Sequence, residues 1–378
     1  MIENRQYDVI IVGAGPAGAL LAYELARKNL DVLILEKNRF PHRKVCAGGI
    51  TVRAASLFPM GIENVVERTI YGMRLSYNKV PQKVRTYNKP ILFTVMRDKL
   101  DSLLSSRAQE AGAALVENAE VKQVELNKGY VTVKTDSSSF SANVLVGADG
   151  ANSVVASSLG LRNNFEYGLG INADITVRND VLSSWENLAG LDYGISGGYS
   201  WVFPKNTCLS IGSGGPIELA RKLKPYALEL MKSYGLSELD SSLLRGQLMP
   251  VRKAKSPVSR GRILLLGDAA GLIDPLTGEG IYYALRSAYL AVLPILSVLD
   301  GKSRDLSGYD DAVDFEFARE YKIARTLRKM NTLAPRLFFH WFKDSDRFWR
   351  AFCQLLRGER TYTSLKNRLS PPLQLLFR

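Results

Sequence analysis

"YDVIIVGAGPAGALLAYELARKNLDVLILEK", residues 7–37, decides the fold of this chain. Val9 to Val12 form an unbroken apolar run, as a strand buried on both faces requires. Gly13-Ala14-Gly15-Pro16-Ala17-Gly18 follows at once, and the stretch from about Pro16 to Lys28 then reads as a helix. Val32 to Leu35 supply the next strand. Strand, glycine turn, helix and strand make a βαβ unit, the first piece of a doubly wound sheet. In the motif Gly13 permits the tight turn, Gly15 lets a pyrophosphate approach the backbone, and Gly18 lets helix and strand pack closely. The helix start at Pro16 and Ala17 points free N–H groups at that phosphate. Glu36, followed by Lys37, ends the second strand at the distance expected for an acid that holds ribose hydroxyls. Glu36 would repel a 2′-phosphate, so this motif disfavours NADP as the resident nucleotide and leaves NAD and FAD open.

Further along, "RDKLDSLLSSRAQEAGA" (97–113) predicts a helix ending at a glycine, with Leu100, Leu103 and Leu104 on one face. Alternating strands are expected from about Leu115 to Val133, and "ANVLVGADG" (142–150) is a buried strand running into a glycine turn. From about Phe165 to Val258 short strands dominate, with one helical segment near Glu218 to Ser233. Strand, loop and long apolar helix return in 261–299, and the chain after Gly301 reads as mainly helical. The expected fold class is therefore α/β. A discontinuous Rossmann-like domain (1–70, 93–164 and 258–300) carries an inserted antiparallel-sheet substrate domain (71–92 and 165–257), and a helical C-terminal region (301–378) follows.

"GDAAGLIDPLTGEGI" (267–281) follows the buried strand Ile263 to Leu266 and puts Asp268 at its carboxyl end. Together with "GADGANSVV" (147–155) and the first glycine motif, it resembles the FAD-dependent oxidoreductases of the p-hydroxybenzoate hydroxylase-like fold. The resemblance covers the chain to about residue 300, and three motifs in this order are highly specific. It implies that Asp268 contacts the ribityl or pyrophosphate region. It also implies that Asp149 lies near the cofactor and the reductant's approach, and that Arg97 contacts the ribityl-phosphate region. Without the family context, Asp149 reads equally as an Asx-turn residue and Arg97 as a surface charge at a helix start. Gly278 and Gly280 allow close backbone approach, and the helix opening at Ile281 points its positive end at a reduced flavin's anionic edge. Glu279 is an ordinary first-turn acid and receives no chemistry.

Two stretches narrow the chemistry, which the fold alone cannot do. "FPHRKVCAGGIT" (40–51) resembles the K-x-C-G-G loop of the geranylgeranyl reductase family, with Ala47 where that family has glycine. "GYSWVFPKNTCLSIGSG" (198–214) resembles its YxWxFP segment followed by GxG: Tyr199, Trp201, Phe203, Pro204, then Gly212 and Gly214. Side chains two apart on a strand share a face, so the three aromatics form one wall. The resemblance implies a reductase that saturates isoprenoid double bonds with hydride from flavin N5. The aromatic wall, with Tyr199 and Trp201 as candidate catalytic groups, would stabilise developing cationic charge and exclude water. Pro204 would end the strand, and Gly212 and Gly214 would clear space for substrate. Cys46 is a candidate proton relay, its thiol made acidic by Arg43 and Lys44; a lone cysteine is otherwise a small buried hydrophobe. Arg43 and Lys44 are also candidates for FAD phosphates or an anionic substrate head group, and Ala47 for cofactor contact. The alternative is a flavin-dependent monooxygenase hydroxylating an aromatic or quinone-type substrate. A halogenase lacks its lysine and tryptophan motif here, and a non-enzymatic flavin-bearing protein would hold FAD without turnover.

Composition limits the rest. Three cysteines, Cys46, Cys208 and Cys353, lie far apart and give neither a disulfide framework nor a zinc spacing, and having only two histidines, His42 and His340, argues against a multi-histidine metal site or a Ser-His-Asp engine. No metal is expected. The longest apolar stretch, Ala288 to Leu299, reads as too short to span a bilayer, and the N-terminus enters a strand without a signal peptide. A net charge of +13 attracts anionic partners. From Asn331 onward nine Lys and Arg face three acids among many aromatics, which suits a membrane interface as well as a helical cap with a basic face. No nucleic-acid module is recognisable. The expected partners are an isoprenoid lipid, a reductant (NAD(P)H or reduced ferredoxin) and a peripheral membrane surface, in a cytoplasmic protein at the inner face of the membrane.

Overall fold

A computed structural model of the protein describes residues 5–59, 61–236 and 241–367. The span 301–378 expected to be helical therefore ends outside the described residues, at 368–378. Five parallel strands run side by side in the order Ile263–Leu265, Ser139–Gly147, Gln6–Val12, Val32–Leu35, Ala114–Val116. Three antiparallel strands complete an eight-stranded sheet. The register explains why distant motifs meet. Val12 lies opposite Leu35 on one side and Gly147 on the other, and Gly147 lies opposite Leu265. The residues that leave these strand ends are 13–18, 36–38, 148–150 and 266–268, so all three glycine motifs share one carboxyl edge, where open α/β sheets bind ligands.

The second sheet has seven strands in the order Arg245–Arg252, Phe165–Thr176, Cys208–Pro216, Tyr199–Pro204, Leu188–Asp192, Gly72–Tyr77, Val80–Thr86. It is antiparallel except where Leu188–Asp192 runs parallel to Gly72–Tyr77. The strands are longer than the sequence suggests, Phe165–Thr176 being 12 residues, and the helix Asn179–Trp185 was not anticipated. One face of this sheet is a closed core: Val202, Leu209 and Ile211 pack with Leu223, Ala227 and Trp185 beneath the helix Ala220–Ser233. The other face carries Trp201 among Met73, Leu191, Phe339, Phe342 and Trp349, the last three from the C-terminal helices. Alternation along Tyr199–Pro204 sorts the strand between these two environments.

A small three-stranded sheet, Gly49–Thr51, Leu92–Val95 and Val66–Ile70, anchors the cysteine loop. Gly48 has a φ of +74° and its backbone touches Val95, so no side chain fits there. The helix Arg97–Glu110 buries Leu100, Asp101, Leu104 and Ala108, while Leu103 stays half-exposed beside that stripe. The helix Ile281–Leu299 corrects the apolar-stretch reading. It begins earlier than Ala288 and is long and apolar enough to cross a membrane by length and composition. Here it is a core helix, with Leu285, Ala288, Ala291 and Ile295 fully buried and the helix Pro16–Ala26 packed on it. Four helices close the molecule: Ser307–Leu333, Pro335–Asp344, Asp346–Leu356 and Tyr362–Lys366. Ser345 caps the third, accepting from the Phe348 N–H, and a Thr361–Ser364 capping box starts the last.

Candidate functional site

A cavity of about 1330 Å³ lies between the carboxyl edge of the first sheet, the aromatic face of the second and the C-terminal helices. Pockets for one small ligand run to about 1,000 Å³, so this one has room for a large cofactor and a substrate together.

The glycine motif divides its labour as its geometry dictates. Gly13 has a φ of +100°, and a Cβ there would sit 2.4 Å from the Ala148 carbonyl oxygen, so it serves the contact between adjacent turns. A Cβ on Gly18 would lie 2.0 Å from the Gly13 carbonyl oxygen, which makes it a helix–strand contact. Gly15 alone faces open space, and with Pro16 and Ala17 it lines the cavity. That is a cradle a side chain would fill, at a helix N-terminus, as a pyrophosphate needs. Glu36 is 3% exposed and stands behind the wall. Its carboxylate accepts from the Ala14 N–H at 2.9 Å and the Asn38 N–H at 3.1 Å, which pins the turn; Lys37 and Asn38 reach the cavity in its place.

Asp149 takes the turn role that its sequence left open, and it also lines the cavity. One carboxylate oxygen accepts from the Val154 N–H at 2.7 Å, and the other is buried without a partner. Burial raises its pKa, and a donor from a bound ligand would satisfy the orphaned oxygen. Asp268, also on the wall, has its pKa raised by burial against the opposing pull of Arg97 and Lys44. Arg97 is fixed by a bidentate pair with the buried Asp101, both contacts at 2.9 Å, and also lies beside the Cys46 thiol. Its proximity to that carboxylate more than offsets burial, so its positive charge is secure. These groups fit FAD: an open phosphate cradle, an unsatisfied buried acceptor and a fixed cation share one wall.

The cysteine loop supplies Arg43, Cys46 and Ala47 to the wall. The Cys46 sulfur accepts from the Gly48 N–H at 3.3 Å. Gly278, Gly280 and Ile281 line the opposite loop, whose shape is set by Asp274. That carboxylate accepts from the Leu276 and Thr277 N–H groups and from the hydroxyls of Tyr283 at 2.9 Å and Tyr362 at 3.0 Å. Glu279 is held by Thr51 and Arg53, which ties this loop to the small sheet.

Tyr199, Trp201 and Phe203 all face the cavity. The Tyr199 hydroxyl donates to the Thr277 carbonyl, joining the aromatic wall to the loop; burial pushes its pKa up, so the phenol stays protonated. The Trp201 indole N–H donates to Asn172 Oδ1 at 2.8 Å, and Asn172 donates to Ser210 at 3.0 Å and to the Cys46 carbonyl at 3.4 Å. Cross-strand register explains the reach. Trp201 lies opposite Gly212, and Gly212 opposite Asn172, so the indole lies across a residue with no side chain. Gly212 therefore makes room for Trp201 and is off the cavity wall, contrary to the substrate-clearing role expected of it. Gly214, with Gly170, does form open floor. Pro204 is buried behind Phe203 and accepts from Thr94 at 2.8 Å, so it ends the strand without touching the cavity.

Sequence reading missed Asn172 and His42. Asn172 was detectable as a polar residue inside an otherwise apolar strand. His42 lines the cavity with both ring nitrogens buried and unpartnered, and burial, aided by Lys44, lowers its pKa. Among the described residues no cluster of potential metal ligands occurs.

Residues 6–197 match the family described as FAD binding domain. The chain is similar to menaquinone reductase of Mycolicibacterium smegmatis, at 30% identity over 88% of this chain and 86% of that protein. It is similar to the chloroplastic geranylgeranyl diphosphate reductase of Nicotiana tabacum, at 27% identity over 87% of this chain and 75% of that protein. In fold it resembles a geranylgeranyl bacteriochlorophyll reductase-like protein of Thermoplasma acidophilum, with a TM-score of 0.77, 21% identity, and 99% of this chain and 96% of that one covered.

Proposed function

Since this chain belongs to the geranylgeranyl reductase family of FAD-dependent oxidoreductases, we propose that it saturates carbon–carbon double bonds in the polyprenyl chain of a lipid-like substrate. The observation that carries the substrate class is the aromatic wall. Tyr199, Trp201 and Phe203 face the same cavity as the phosphate cradle at Gly15 and the cysteine loop, so an apolar chain laid along them reaches the flavin side. FAD, when bound, supplies a hydride for one alkene carbon. The chain's own residues do the rest. Gly15, Asp149, Asp268 and Arg97 hold the cofactor, and the glycine floor at Gly170 and Gly214 admits the flat polyene. The rings of Tyr199 and Trp201 present electron-rich faces and edges to developing positive charge, worth about 0.5–2 kcal/mol per ring. Cys46 Sγ holds a proton at the cavity wall for the second carbon. The electrons come from NAD(P)H or from a reduced ferredoxin drawn to the basic surface.

The lipid is reached at a membrane. Leu333 and Leu337 are 85% and 49% exposed at the junction of two C-terminal helices, beside Arg336 and next to Trp341, which also lines the cavity. We assign this apolar and cationic surface to an anionic bilayer at the cytoplasmic face. The experiment for the activity is anaerobic incubation of dithionite-reduced, FAD-loaded protein with geranylgeranyl diphosphate, a geranylgeranyl lipid and a menaquinone. The product gains one H2 per saturated bond; unchanged masses with all three would sink the reading.

A further inference from the structure

The cavity's helical side carries charge of one sign. From residue 301 onward, the charged side chains on its wall are Arg328, Arg347, Arg350, Arg360 and Lys366, with no carboxylate among the described residues. The acids on the wall, Asp149, Asp268, Asp274 and Glu279, all come from loops of the first sheet's side, and the last two are already engaged by tyrosines and by Arg53. Within the helix Asp346–Leu356, Arg347, Arg350, Ala351 and Gln354 recur at i, i+3, i+4 and i+7, so they form one stripe that faces the cavity. Trp349 and Cys353 on the other face are buried in the aromatic core and do not line the cavity. The chain then doubles back: the N–H groups of Glu359 and Arg360 both donate to the Gln354 carbonyl, which returns Arg360 to the end of the stripe. Neighbouring Arg357 is consumed by Glu359 at 2.6 Å, whereas neither Arg350 nor Arg360 has an ion-pair partner among the described residues. Lys366 closes the group from the following short helix.

Arg347 and Arg350 are exposed and Arg360 half-buried, so the cations sit where the cavity meets solvent. An anionic group bound there keeps much of its hydration, which avoids the desolvation cost of a deeper site. Planar guanidiniums with an amide between them suit a phosphate's several oxygens. Phe338, Phe348 and Phe352 line the wall beside the cations and lead inward to the aromatic strand.

We propose that the stripe Arg347–Arg350–Gln354, with Arg360 and Lys366, is the subsite for a phosphate or diphosphate head group on the polyprenyl substrate. The inference rests on the polyprenyl reading above and adds that the head is anionic, which sets such substrates apart from neutral quinones.

The test is isothermal titration of oxidised, FAD-loaded full-length protein, which does not depend on turnover. The ligands share one chain: geranylgeranyl diphosphate, a digeranylgeranylglyceryl phosphate, and geranylgeraniol. At least one phosphorylated ligand is expected to bind about tenfold or more tightly than the alcohol, as one or two charge-assisted hydrogen bonds provide; the tighter of the two identifies how the phosphate is carried. Arg350→Ala and Arg360→Ala should each weaken that ligand about tenfold and change geranylgeraniol less than about twofold. Arg350→Lys should recover part of the loss, and Arg178→Ala, at an exposed arginine that pairs with Asp180 and is not on the cavity wall, should change nothing. Equal affinity for the alcohol, no binding of either phosphorylated ligand, or equal weakening of all ligands by the variants would overturn the proposal. Phosphate-dependent binding without reduction would leave this subsite standing and overturn the reductase reading instead.

Discussion

Gly212→Ala isolates the machinery behind the aromatic wall, because Gly212 touches Trp201 but not the cavity. A Cβ built there lies 2.1 Å from the Ile171 carbonyl oxygen and 2.4 Å from Trp201 Cζ2. The first neighbour is backbone of the paired strand, so the two strands must part at this point, and the indole must move as well. Overpacking of this kind costs about 1–3 kcal/mol. Moving the indole off Asn172 leaves the buried indole N–H unpaired, about another 1–3 kcal/mol, while Asn172 Oδ1 keeps the Ser210 hydroxyl. The expected total is about 2–6 kcal/mol, centred on the strand pair behind the wall. Gly214→Ala is the matched control. Its Cβ would lie 3.2 Å from Trp201 Cζ3 with nothing closer, a contact that small adjustments relieve. Urea midpoint, FAD absorbance and anaerobic prenyl reduction should be measured for both. Gly212→Ala should keep FAD, lower the midpoint, and reduce turnover at least about tenfold, as a loss of about 1.4 kcal/mol or more in the transition state implies. Gly214→Ala should keep FAD and the parent's urea midpoint; because its methyl stands on the cavity floor, any change in its turnover reads substrate contact and not the seat of Trp201. Wild-type turnover and stability in Gly212→Ala would refute the claim that Trp201 is held across this glycine.

Arg97→Ala strands the buried carboxylate of Asp101 and should cost about 3–5 kcal/mol, seen as a lowered urea midpoint and lost FAD; a neutral result would return Arg97 to a surface charge. The lowered pKa of His42 makes the unfolded chain the better proton binder just below its ordinary value of 6.5, so this residue's contribution to stability is full above that pH and falls as pH drops through it. His42→Gln should flatten that loss in thermal melts between about pH 7.5 and 5, and an unchanged slope would count against the buried ring. Leu337→Asp with Trp341→Asp should abolish sedimentation with phosphatidylglycerol vesicles while leaving FAD bound; undiminished sedimentation would remove that surface from the membrane account.

The first sheet and its motifs were legible because each glycine turn follows a buried strand, and parallel pairing of those strands places the turns on one edge without long-range side-chain detail. The common face of Tyr199, Trp201 and Phe203 followed from strand period alone. What the chain order hid depends on cross-strand neighbours. Gly212 looks like substrate space until its register shows Trp201 on one side and Asn172 on the other. The pairing of Gly49–Thr51 with Leu92–Val95 fixes the Cys46 loop through a strand that no local pattern names. Tyr362 reaches Asp274 across 88 residues, so the flavin-side loop and the last described helix are coupled by a contact invisible to periodicity. Glu36 was read at the right strand end, yet its oxygens turn to backbone N–H groups of adjoining turns.

The central claim is that this chain is a reductase of an isoprenoid chain held against the Tyr199–Phe203 wall. Its most direct test is to mix the photoreduced, FAD-loaded protein with geranylgeranyl diphosphate in the strict absence of oxygen, following flavin absorbance and product mass together. The account predicts that the oxidised flavin spectrum returns as the product gains H2, and that Trp201→Ala, still carrying FAD, does neither. A flavin that reoxidises only when oxygen is admitted, with a product that gains an oxygen atom, would contradict it.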